Sequence, residues 1–369
     1  MRERRLHLEF VRGVAALVVV AFHCCIGFFP EFMGIVPGQP AGSGLPGNPL
    51  YIFVNGPAAV QLFFVLSGYV LTRSYFEKGD DKTVIRSALK RWPRLAGPVT
   101  ISTLLSCLFF LAGLYHFREA GHLVQSPWLE RFAYGLSPGI QPEVSFSSAF
   151  LQGSVLTFFR GDCWYNSSIW TMKAEFFGSF AAFAMAAVAV RIQPALRVGL
   201  FVLSAVAAHL IFPALLPFIA GVALAMFLPD CVGPPKPLLV CLVLFVAFAA
   251  LGYPGAPIGA YRSLFPLRGF AVLVPAFGAL LLIGYLELSA GAAKFLDGPS
   301  SRFLGELSFP LYLIHVPVIC SLGAWTCLDH GPFAAAVASS VASLLAATVL
   351  IPLDRLWLRL LARAARAVV

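Results

Sequence analysis

The chain has 369 residues, 59% of them hydrophobic and only 12% charged, with a mean hydropathy of +0.84 and a formal charge of +9. A soluble domain carries about 25% charged residues, so this composition excludes that class and points to an all-α polytopic membrane bundle. The basic residues gather beside apolar runs, where they act as topology signals, and this argues against nucleic-acid binding.

Ten apolar runs follow one another along the chain, each near or beyond the length that crosses about 30 Å of hydrocarbon as a helix. They span 8 to 29, 57 to 76, 95 to 116, 167 to 190, 197 to 213, 214 to 228, 237 to 253, 264 to 286, 303 to 324 and 333 to 354. The first begins like a signal peptide, but no small-residue cleavage site follows it, so it is expected to remain as a helix. The cut between the fifth and sixth rests on the turn tendency of Pro213 and Pro217; without it the count is nine. The whole chain reads as a single transmembrane domain.

Alternate loops test the count, because Lys and Arg accumulate on the cytoplasmic side. With ten spans, nineteen of the twenty-six basic residues fall on one side, seven of them in the 73 to 94 segment. The opposite loops hold only Arg118, Arg131, Arg160 and Arg262. Both termini are therefore expected in the cytoplasm, with the protein multi-pass in a cytoplasmic (inner) membrane. The eight cysteines lack the close pairing of a metal site, and no metal is expected. Cys163 and Cys327 would share the outer side, where free thiols or a disulfide are both open.

Ionisable residues inside spans are expensive and are functional candidates by default. Here they are Arg12, Lys173 and Arg268, with Glu175 and a few histidines. Arg12 and His23 are eleven positions apart on the first span, three turns to within about 20°, so their side chains share one face about 16 Å apart in depth. Depth at about 1.5 Å per residue sorts the polar groups into two layers. Arg12, Arg73, the Arg86 to Arg94 cluster and Asp354 lie near the cytoplasmic face, where basic groups suit a phosphorylated donor. His23, Lys173, Glu175 and His315 lie in the middle or outer half, where a proton-transfer group meets an acceptor. The Arg86 to Arg94 cluster is equally accounted for by topology alone, and Lys173 by a structural ion pair or by snorkelling.

Several of these segments resemble one family. Leu8-Glu9-Phe10-Val11-Arg12-Gly13-Val14-Ala15-Ala16 with Phe22-His23 is similar to the first helix of the acyltransferase-3 family, in which ten residues separate an arginine from a histidine. Gln61 to Tyr69, Lys90-Arg91-Trp92-Pro93-Arg94-Leu95, Asn166 to Glu175 and Leu304 through Tyr312 to His315 continue the resemblance in order. Trp170 and Glu175 stand in the family's Trp-Ser-Leu-x-x-Glu places. The chain departs in carrying Thr171 for serine, an added Lys173, and Asp354-Arg355-Leu356 where the family often has Glu-Lys-Pro. No esterase-like domain follows the last span, so a relay of acyl groups would need another chain.

The resemblance implies O-acyl transfer, most commonly of acetyl, from acyl-CoA to a hydroxyl of an envelope or exported carbohydrate. Acyl-CoA is then a co-substrate, and no tightly bound cofactor is expected. On this reading His23 is the general base, a role worth typically 10²- to 10⁴-fold. Glu175 orients it, its alternative being an ion pair with Lys173. Asp354 is a lower-ranked catalytic carboxylate, about a helix length from His23. Arg12, Arg73, Arg91 and Arg94 hold the donor, with Trp170, Asn166 and His315 as further substrate contacts. The rival from another class is a transporter or flippase of a lipid-linked sugar, with the same charged residues lining its path. Against it, the sequence has no inverted repeat and no matched pair of broken helices.

Overall fold

The computed structural model describes residues 5–40, 42–132, 143–228, 237–264 and 270–368. Arg268 lies outside the described residues. Among those described there is no strand, and each expected apolar run contains helix; in the run 264 to 286 the long helix begins at Leu273, residues 265–269 lying outside the described residues. The long helices are α1 (Leu6–Phe28), α2 (Gly56–Lys78), α3 (Asp81–Leu111), α4 (Thr171–Arg191) and α5 (Pro194–Ile211). They continue with α6 (Leu216–Phe227), α7 (Pro237–Leu251), α8 (Leu273–Leu288), α9 (Pro299–Val318) and α10 (Ala324–Val368). Five stretches among the described residues are long and apolar enough to cross a membrane: Leu6–Phe28, Asp81–Leu111, Ser167–Arg191, Pro194–Ile211 and Pro299–Ala364. The last of these covers two of the expected runs, divided at Gly331, where φ is 82° and the helix breaks.

Local chemistry explains where the boundaries fall. The cut at Pro213 is real: Phe212 leaves the helix at φ −152°, ψ 84°, and Pro213–Leu215 forms one 3-10 turn. The third helix starts fourteen residues before its expected first residue, 95, because Asp80 caps it. The Asp80 carboxylate accepts the Lys82 amide at 3.1 Å and the Thr83 hydroxyl at 2.9 Å. Pro93 and Pro98 then sit inside α3 rather than at its start. The basic segment is therefore the first turns of α3, and Arg91 and Arg94, three positions apart, share a face.

α1 is the central helix and divides the core. Leu8, Val11, Ala15 and Val19 pack into one apolar cluster that takes in α2, α3 and α8. Ala16, Val20, Cys24 and Ile26 pack into a second with Leu307, Leu311 and Ile314 of α9. The approach of α1 to α9 is close enough that a Cβ on Gly13 would collide with Leu304, so only glycine fits there. The two helices run parallel, since Arg12 meets Gly305 while His23 meets His315. After α9 the chain winds one π turn, Ile319–Gly323, directly beyond the histidine. Cys163 and Cys327 are both free thiols.

Candidate active site

Six helices enclose a cavity of about 220 Å³ at the basic end of the bundle. Its charged lining residues are Glu9, Arg12, Arg91, Arg94, Glu175, Glu306, Asp354 and Arg355, and Val60, Phe64, Thr171, Met172 and Tyr312 line its inner end. Three of its four arginines are already paired. Arg12 forms an ion pair with the Glu9 carboxylate at 2.6 Å and donates to the Gly305 carbonyl at 2.6 Å and to the Ser308 hydroxyl at 2.9 Å. Arg91, itself buried, donates to Ser179 at 2.6 Å and forms an ion pair with Glu175, whose carboxylate also accepts the Ser67 hydroxyl at 2.7 Å. Arg355 pairs with Glu306 across α9 and α10. Arg94 is different: it lines the same cavity, and no hydrogen bond or ion pair engages it among the described residues. A guanidinium that five donors equip for bidentate phosphate or carboxylate binding is thus free to take a ligand.

The inner end of the cavity is closed by Tyr312. Its hydroxyl donates to the Ser168 carbonyl at 2.6 Å and lies 2.8 Å from the Thr171 hydroxyl. One turn farther along α9 is His315, fully buried, whose ring centroid is 5.9 Å from that of Tyr312. His315 Nε2 lies 3.1 Å from Nδ1 of His23, and Nδ1 of His315 lies 3.1 Å from the Leu311 carbonyl. Nδ1 of His23 is also 2.8 Å from the Val19 carbonyl, one turn back on its own helix. Because carbonyls only accept, both Nδ1 atoms carry their protons in the neutral rings. Nε2 of His23 is left bare, with no protein hydrogen bond among the described residues, and the buried Trp128 ring sits 5.2 Å away.

The expected site residues divide accordingly. Arg12, Arg91, Arg94, Glu175 and Asp354 converge on the cavity, and Arg12 and His23 share the stripe that faces α9, as their spacing predicts. His23 and Glu175 do not meet. The carboxylate is held by Arg91 and Ser67 in the cavity wall, and the histidine contacts His315 instead. Glu175 does not pair with Lys173 either, whose ammonium reaches the Arg160 carbonyl at 3.4 Å.

Three expected substrate contacts are engaged or placed elsewhere. Arg73 donates to Glu77 at 2.9 Å and to the carbonyls of Ala225 and Leu228 at 3.2 and 3.3 Å, capping the C-terminal end of α6 outside the cavity. Asn166 is fully buried and uses its whole hydrogen-bonding capacity within the protein. Its amide donates to Ser102 and to the Leu313 carbonyl, both at 2.7 Å, and its oxygen accepts the amide and hydroxyl of Ser168. Trp170 is exposed and does not line the cavity. Residues that the sequence reading did not assign include Ser67, Ser179, Ser308 and Trp128, which hold or abut the charged groups. A hydroxyl one or two helices away from its partner leaves no signal in spacing.

Residues 5–352 match the profile of the acyltransferase-3 family, described as an acyltransferase domain. The chain belongs to this family. Among curated proteins it is similar to O-acetyltransferase PaAT-1 of Phomopsis amygdali, 25% identical over 380 aligned positions that cover 87% of this chain and 74% of that protein. No solved structure matches. This acyltransferase carries Arg12 and His23 on one stripe of α1, the arginine in the cavity wall and the histidine beyond the cavity's inner end.

Proposed function

We propose that this protein is an integral-membrane O-acyltransferase that moves an acyl group, acetyl by preference, from acyl-CoA to a hydroxyl of an envelope or exported carbohydrate. The observation that carries the reading is that, among the described residues, the Arg94 guanidinium in the basic-end cavity and Nε2 of His23 beyond its inner end are both left without a hydrogen bond. The distribution of Lys and Arg supports placing that cavity at the cytoplasmic face, both termini inside and ten spans in the inner membrane. Acyl-CoA then enters from the side where it is made. A cavity of about 220 Å³ takes the acyl and thioester end of the donor and leaves its nucleotide at the mouth, where Arg94 meets phosphate.

In the reaction His23 Nε2 takes the proton of the acceptor hydroxyl, and the oxygen bonds to the thioester carbonyl carbon. The carbon–sulfur bond breaks, and the departing thiolate takes the proton from His23 to leave free CoA. The acyl group has to pass Tyr312 to reach His23, so a swing of that ring belongs to the cycle. Glu175 supports the reading as the anchor of Arg91 rather than as partner of His23. The test is incorporation of labelled acetate into surface polysaccharide by cells with the protein, without it, and with His23→Ala. The expected result is loss of label in both of the last two while His23→Ala remains in the membrane at normal level. Retained labelling with His23→Ala removes the assigned base, and label that does not depend on the protein removes the acceptor class.

A further inference from the structure

The carboxylate expected to orient His23 is occupied elsewhere, which leaves open what holds the catalytic ring. We propose that His315 is the positioning residue of His23, fixing the tautomer whose unprotonated Nε2 is the base. The proposal rests on reading His23 as the base. Its geometry is independent of any ligand. The Leu311 carbonyl at 3.1 Å takes the Nδ1 proton of His315, so His315 Nε2 presents a lone pair. That lone pair lies 3.1 Å from Nδ1 of His23, beside the Val19 carbonyl at 2.8 Å. Two acceptors on one nitrogen hold its proton there, and the second His23 nitrogen is bare by exclusion.

Each alternative arrangement loses a bond. Moving the His23 proton to Nε2 would set the Nδ1 lone pair against the Val19 carbonyl oxygen and the His315 lone pair, three acceptors with no donor among them. Trp128, 5.2 Å away and tilted 37° to the ring, and Phe22, 5.1 Å away, wall the imidazole against rotation. When His23 takes the acceptor proton at Nε2 it becomes an imidazolium, and its Nδ1–H then donates more strongly to the same two acceptors. His315 keeps its own proton count throughout. It performs with a neutral ring the orienting role that a carboxylate performs in hydrolase triads.

The test compares two substitutions in the full-length protein in membranes. His315→Gln keeps an acceptor near the Nε2 position, whereas His315→Leu removes it at similar bulk. The expected result is a fall in kcat of about 10- to 100-fold for His315→Leu with the KM of both substrates unchanged, and recovery of most of that loss in His315→Gln. Equal loss in both variants, wild-type kcat in His315→Leu, or a change in KM alone overturns the proposal. Nitrogen-15 NMR of the wild-type histidines gives a reading that needs no variant to fold. A protonated Nδ1 and a bare Nε2 on His23 are expected, and the reverse tautomer overturns the proposal. If His23→Ala keeps its activity, the underlying reading fails, whatever the tautomer proves to be.

Discussion

Arg94→Ala deletes the one cavity guanidinium that makes no hydrogen bond or ion pair among the described residues, so its cost should fall on the donor rather than on the fold. No hydrogen bond among the described residues is lost; Asp354 loses an attractive charge in the same cavity, a contribution of about 1 kcal/mol or less where no ion pair is formed. A hydrogen bond to a charged group contributes about 1.5–3 kcal/mol, and about 1.4 kcal/mol corresponds to tenfold in affinity. The KM for acetyl-CoA should therefore rise about 10- to 100-fold, with kcat at saturation close to wild type. The assay is initial-rate measurement in membrane vesicles with two donors, acetyl-CoA and acetyl-pantetheine, which lacks every phosphate. The penalty should appear with the first donor and vanish with the second. An equal loss with both donors, or an unchanged KM for acetyl-CoA, refutes the assignment of Arg94 to phosphate.

Two other positions separate support from chemistry. Glu175→Ala leaves the buried Arg91 without its counter-charge, and breaking such a pair costs about 3–5 kcal/mol, so a lower melting temperature is expected, with Glu175→Gln closer to wild type. Unchanged thermal stability in Glu175→Ala would return Glu175 to a catalytic role. Arg73→Ala uncovers the Ala225 and Leu228 carbonyls and should cost about 1–2 kcal/mol of stability with the KM for acyl-CoA unchanged. A raised KM with unaltered stability would restore Arg73 to the donor site.

The predicted stripe on α1 survives in the structure because it depends only on helical periodicity: eleven residues bring Arg12 and His23 to one side, and the α9 contacts of both show which side that is. Depth bookkeeping served less well. It put Glu175 in the layer of His23, whereas Glu175 lies in the basic-end cavity with Arg12, held by Arg91 and Ser67, and His23 lies beyond that cavity's inner end. Asn166 and Arg73 illustrate another gap. Asn166 stands in a segment that resembles the family's and Arg73 in the basic layer, yet backbone carbonyls from other parts of the chain engage both. Within the Arg86 to Arg94 cluster, the early start of α3 puts Arg91 and Arg94 on one helix face, and the packing of α3 brings both to the cavity.

Composition and hydrophobic period alone determined that this chain is an all-helical membrane protein, where most helices begin and end, and that an arginine and a histidine share one face of the first. These are properties of contiguous sequence, set by the cost of burying unsatisfied backbone in hydrocarbon and by the 3.6-residue turn. Only tertiary structure decided which charge meets which. It set Glu175 on Arg91 and His315 on His23, and among the described residues it left Arg94 without a hydrogen bond or ion pair. Those outcomes turn on the rotation and close approach of helices far apart in the chain, where a shift of one residue in register exchanges one partner for another.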